Sequence, residues 1–187
     1  MKPSAGADNR LVTSEIRRVV WPALKEVGFE SFTGRNAWRH VGDNVDLVSF
    51  QSFGGMNADS LGCTSYSFQV ALGLWRPEDA LVQPRGSDSH GIPRPRDYEC
   101  EPHRICVEKS LEQPWFRPFK ADSSGWPSSF RMHRAALRHA FGDATHENKY
   151  VWFVLRDGSN LQACIEDALG AVVREGQPWF RSLRTLK

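Results

Sequence analysis

Residues 66–75 read YSFQVALGLW. Tyr66, Phe68, Val70, Leu72 and Leu74 take every second position, and Ser67, Gln69, Ala71, Gly73 and Trp75 fall between them. A period of two belongs to a β-strand with one face turned to a core. Candidate neighbours are present. RNAWRHV leads through GDN into VDLVSFQSF, a hairpin signal, and HRICVEKSL and YVWFVL are two further runs of strand length.

The flanking segments carry a different period. In TSEIRRVVWPALKEVGF, Ile16, Val19, Val20, Leu24 and Val27 follow helical spacing. Thr13 or Ser14 can cap this helix, and Gly28 can stop it with Phe29 folding back onto its last turn. Pro22 inside it predicts a kink or a shifted start. SSFRMHRAALRHAFG predicts a second helix, stopped by Gly142. After the DGSN turn a third is predicted, capped by Ser159, lined by Leu161, Ile165, Ala168, Leu169 and Val172, and ended by Gly176. Residues 76–102 contain five prolines and read as a long irregular loop between the third and fourth expected strands.

The expected fold is therefore α+β: an antiparallel sheet of about five strands with the first and third helices packed on its apolar face. A disordered tail over 1–12 precedes a single domain over 13–187, with 76–102 as a loop insertion. The 187 residues suit one domain, and 11 Phe and 7 Trp supply a core without disulfide staples.

The pentapeptide QPWFR occurs at 113–117 and again at 177–181. The first copy follows an expected strand and the second an expected helix, which argues against a duplicated domain. Pro114 and Pro178 suit the start of a short helix. Trp115–Phe116 and Trp179–Phe180 then read as clamps that hold a segment on the core.

A helix ending in GF, the strand AWRHV, VSFQSF, its partner YSFQVALGLW, a Cys-containing basic strand and a terminal PWF together resemble the bacterial domain-of-unknown-function family 4304. The resemblance runs from about residue 13 to the end and departs in the longer Pro-rich loop. It implies a small α+β domain and brings no catalytic residue with it.

The chemistry-bearing residues are sparse. No P-loop, GxGxxG, HExxH or GxSxG motif is present. Cys63, Cys100, Cys106 and Cys164 form no CxxC pair. In an extended segment Cys100 and Cys106 stand roughly 20 Å apart, with His103 on the opposite face, so Cys100, His103 and Cys106 are expected to bind no metal. Glu147 and Lys149 beside Asp143 match the tail of a metal-dependent nuclease pattern, and His139, Asp143 and His146 could gather near a helix end. Both groups are also what a polar turn and a helix C-terminus ordinarily carry. No metal and no cofactor are expected.

Two surfaces stand out. Arg131, Arg134 and Arg138 line one side of the second helix, a solvated face or a stripe for an acidic partner surface or a phosphate backbone. The repeated Ser-Phe-Gln order at 49–51 and 67–69 puts Ser49, Gln51, Ser67 and Gln69 on one sheet face beside Trp75, with Arg39 and Arg104 able to reach in from flanking strands. That face is either an ordinary wet surface or a hydrogen-bonding floor under the Pro-rich loop. A net charge of +2 is too small to argue for nucleic acid by itself. No apolar run approaches the roughly 18 residues of a membrane span, and MKPSAGADNRLV lacks the apolar stretch of a signal peptide. The functional expectation is a non-catalytic binding or interaction protein of a bacterial cytosol, of immunity or accessory type, with a protein or small polar ligand as partner. The competing one is a metal-dependent hydrolase or nuclease acting on a phosphate-containing substrate.

Overall fold

The computed structural model describes residues 5–54, 65–78, 84–105, 150–152, 154 and 158–185. Five strands form one antiparallel meander in chain order: β1 (Ser31–Thr33), β2 (Asn36–Val41), β3 (Asn44–Ser52), β4 (Phe68–Trp75) and β5 (Glu101–Arg104). Helices α1 (Ala5–Glu15) and α2 (Trp21–Glu26) precede the sheet, and α3 (Leu161–Ala171) and α4 (Gln177–Thr185) follow it. The expected α+β class and five-stranded antiparallel sheet are observed.

Register assigns every side chain to a face. Val48 stands between Ala37 and Leu72, and Phe50 opposite Val70. This face, with Phe68, packs in one core with Ile16, Val20 and Leu24 from the first helical segment and Cys164, Ile165, Ala168 and Phe180 from the last. Its centre is a chain of rings. Trp21 meets Phe50 edge-on, Phe50 lies 5.8 Å from Phe68, and Phe68 stacks on Trp152 at 5.7 Å and 7°. Each such pair adds about 0.5–1.5 kcal/mol beyond the area it buries. Trp152 keeps its indole N–H satisfied by donating to the Asp167 carboxylate.

Both helical segments share one irregularity. A π turn over Ile16–Val20 joins α1 to α2, and another over Val172–Gly176 joins α3 to α4. Each is followed, two residues on, by a proline: Pro22 or Pro178. A proline inside a helix has no N–H to give the carbonyl four residues back and crowds that carbonyl with its ring. Widening the preceding turn relieves both, and the Trp21 N–H duly bonds five residues back, to the Ile16 carbonyl. Gly176 therefore does not end its helix. It is buried where a Cβ would come within 3.2 Å of Leu72, so it lets the helix lie close to β4.

Other boundaries also move. The first helix starts at Ala5 rather than Thr13, so part of the expected irregular tail is helical. Val12 is fully buried one turn before Ile16, and the Thr13 hydroxyl bonds back to the Asn9 carbonyl instead of capping. Gly28 does stop the helix: at φ +91° it passes the Phe29 N–H to the Leu24 carbonyl and its own to Lys25. Asn160, not Ser159, holds the N-cap position of α3. Within YVWFVL, of which residues 150–152 and 154 are described, Trp152 forms an isolated bridge to Phe68. The first QPWFR copy, the second expected helix and the Asp143–Lys149 turn lie outside the described residues. In the second copy Phe180 is fully buried, while Trp179 is half-buried and stacks on His103 at 5.2 Å.

Candidate functional site

The opposite face of the sheet is where the sequence places its polar floor. Successive cross-strand rows describe it. His40, Val45 and Trp75 form one row; Ser31, Trp38, Leu47, Gly73 and Pro102 form the next. Then come Thr33, Asn36, Ser49, Ala71 and Arg104, and finally Gln51 opposite Gln69. The first two rows are dry at their centre, with His40 and Pro102 reaching solvent at the ends. Trp38, Val45, Leu47 and Trp75 join Cys100 in a second, smaller core.

The cover over this core comes from the Pro-rich segment, of which residues 76–78 and 84–102 are described; residues 84–100 lie over the core. It is folded on itself by a bridge between Ser87 and Pro93 and by the Arg94 N–H bonding to the Gly86 carbonyl. The Asp88 carboxylate accepts the Ile92 and His90 N–H groups, which holds it below the usual carboxylate range. The segment is strapped to the sheet at five points. Trp38 Nε1 donates to the Pro95 carbonyl at 2.9 Å, and His40 Nε2 meets the Pro93 carbonyl at 2.8 Å. Arg94 bonds to the Ser31 hydroxyl and lies over the Trp38 ring. Cys100 sits against Gly73. Gln51 Nε2 donates to Asp97 Oδ2 at 2.5 Å.

The last contact belongs to a relay. Gln69 Nε2 donates to Gln51 Oε1 at 2.6 Å, and Gln51 passes its own N–H on to Asp97. The relay assigns the Gln51 amide, because only one orientation accepts from Gln69 and donates to Asp97. Gln69 Oε1 is left as an acceptor, and Arg104 stands exposed on the same face one row away.

The expected site residues thus separate. Gln51 and Gln69 are half-buried at the open end of the strapped face, and Arg104 is beside them. Ser49 is buried in the row above. Trp75 is in the dry core, not at a surface. Ser67 is fully buried, and its hydroxyl accepts the Val154 N–H. Arg39 is on the helix-covered face, since it pairs with Asp46 in register. There it bonds Asp46, the Val27 carbonyl and Gln177, between the rings of Phe29 and Phe180. Arg131, Arg134 and Arg138 lie outside the described residues. The residue that pattern reading missed is Asp97, which completes the relay; its only signal was its place in the Pro-rich segment.

The cysteine–histidine spacing resolves by face. Cys100 is in the dry core and His103 on the helix side against Trp179, as an extended segment requires, while Cys106 lies outside the described residues. Among the described residues no group of three or more His, Cys, Asp or Glu side chains is placed to hold a metal ion. No helix among them is long and apolar enough to cross a membrane.

Comparison of the chain with protein-family models, with curated proteins and with solved structures finds no match in any of the three. The likeness to family 4304 gains no support from them and stays one of motif order.

Proposed function

We propose that this is a non-catalytic binding protein, of the immunity or accessory kind found in a bacterial cytosol, and that it engages another protein or a small polar ligand where the strap meets the sheet. The observation that carries this reading is the Gln69–Gln51–Asp97 relay. It holds amide groups in set orientations, so little ordering cost falls on the binding event. Gln69 Oε1 offers an acceptor, Arg104 a fork of donors and Asp97 a carboxylate. Amides and a guanidinium do not exchange protons near neutrality, which suits recognition better than acid–base chemistry.

The test compares the wild-type protein with Gln51→Ala/Gln69→Ala as bait for affinity capture from the native host. The variant keeps its melting temperature within a few degrees, because half-exposed polar groups contribute little to stability. It loses the protein or ligand that wild type retains. Equal capture by both refutes the site. Hydrolysis of bis(p-nitrophenyl) phosphate by the purified protein with Mg²⁺ or Mn²⁺ would replace the binding reading with the phosphoesterase one.

A further inference from the structure

On the other side of the molecule, the first helical segment runs past the end of the sheet. Between them lies an open groove of about 360 Å³, lined by Arg17, Trp21, Pro22, Lys25, Phe32, Thr33 and Gly34. Arg17, Trp21 and Lys25 all face this groove, in a row that crosses the π turn. Trp21 and Phe32 make the floor, with ring centroids 5.2 Å apart. Both cations line the groove with that floor, and Lys25 leans over the Phe32 ring at 5.6 Å.

Three features define what this groove would accept. Among the described residues no carboxylate lines it. Arg18 is neutralised by Glu15, whereas Arg17 and Lys25 have no ion-pair partner among the described residues. And Phe32 and Thr33 belong to β1, which among the described residues pairs only with β2 and so stands at an edge of the sheet. A free edge strand is a template for an added extended chain.

We infer that the groove is a docking site for an extended acidic peptide segment of a partner protein, with the pattern acidic–x–apolar–x–acidic. The spacing carries the pattern. Arg17 and Lys25 are eight positions apart on the helical segment, at most about 12 Å along the axis because the π turn rises less per residue than an α turn. In an extended chain the side chains of residues i, i+2 and i+4 share one face, and the outer two are about 13 Å apart. Two carboxylates at i and i+4 therefore reach Arg17 and Lys25 together, and the residue between them lies on Trp21 and Phe32. This site is on different elements from the Gln51–Gln69 patch and does not depend on it.

The probe is the fluorescein-labelled peptide Gly-Glu-Gly-Leu-Gly-Glu-Gly, titrated with the full-length protein by fluorescence anisotropy at low ionic strength. Saturable binding is expected, weakening steadily as NaCl is raised. Arg17→Glu/Lys25→Glu weakens it at least tenfold, and moving the two glutamates to i and i+2 weakens it at least fivefold. Both cations are exposed, so the variant keeps its melting temperature. Arg17→Gln/Lys25→Gln serves if charge reversal disturbs the fold, with the same direction of effect. The inference is overturned by absence of saturable binding, by equal affinity for the neutralised variant, or by unchanged binding when the central Leu becomes Gly. Displacement of the peptide by a short oligo(dT) at lower concentration than unlabelled peptide would also overturn it and make the groove a nucleic-acid contact.

Discussion

Cys100 fills the space that a side chain on Gly73 would occupy: a Cβ built at Gly73 stands 2.7 Å from the Cys100 Cβ and 3.0 Å from its Sγ. The strap and the sheet are thus fitted at backbone distance. Gly73→Ala must push Cys100 outward, with Leu47 closing the other side at 3.5 Å. The expected cost is about 1–3 kcal/mol, as for other overpacked sites. Chemical denaturation measures it, and limited proteolysis should cut within residues 84–99 faster than in the wild-type protein.

Asp46 is fully buried on the helix side between Arg39 and Arg184. Removing it leaves two guanidinium groups without their carboxylate in a largely dry setting. Asp46→Ala should lose about 3 kcal/mol or more. Arg184→Ala should lose less, because Arg39 keeps its bond to Asp46 and its place between Phe29 and Phe180. Denaturant midpoints of the two variants give the comparison. An Asp46→Ala midpoint equal to that of wild type would show that the ion pair contributes nothing net.

The clamp in the second QPWFR copy should divide unequally. Phe180 has no exposed surface and meets Phe29, Trp179 and the Arg39 cation. Phe180→Ala is expected to cost about 3–5 kcal/mol. Trp179 is half-buried, and its main partner is the His103 ring. Trp179→Ala should cost about 1–2 kcal/mol, the scale of a partly exposed aromatic pair. Equal costs in thermal melts would contradict this division.

Burial pushes the thiols of Cys100 and Cys164 up, each from an ordinary 9.0 to about 12. Both stay protonated and inert at pH 8. In a Cys63→Ser/Cys106→Ser variant, a disulfide reagent at pH 8 should label neither until the chain is unfolded. The linkage has a definite sign. Between pH 9 and 12 the unfolded chain gives up thiol protons that the folded one retains, so these groups favour folding fully below pH 9 and lose that contribution as pH rises towards 12.

The alternation in YSFQVALGLW was a sound guide because each residue's face follows from parity alone, and Tyr66 and Phe68 against Gln69 and Trp75 divide as expected. Parity does not say what covers a face. The polar face looked wet because Ser49, Gln51, Ser67 and Gln69 are polar, yet Trp38, Leu47 and Trp75 share it under the strap. Only a tertiary contact joins residue 97 to residue 51. β1 escaped notice because three residues, Ser31–Thr33, are too few to display a period. Arg39 was assigned to the wrong side because a basic residue on a strand reads as solvent-facing until a buried carboxylate is found opposite it.

A π turn amounts to one extra residue in an α-helix, and one residue turns a helix face by about 100°. Ile16–Val20 and Val172–Gly176 therefore act as phase shifts. Upstream of the first, Val12 and Ile16 face the core; beyond it, Trp21 and Leu24 do so on a rotated surface. Two unbroken helical segments can in this way follow a sheet that twists beneath them. Deleting a single residue from 16–20 would remove the extra residue of the π turn, press the Pro22 ring against the carbonyl four residues back, and swing Trp21 and Leu24 out of phase with the strands below.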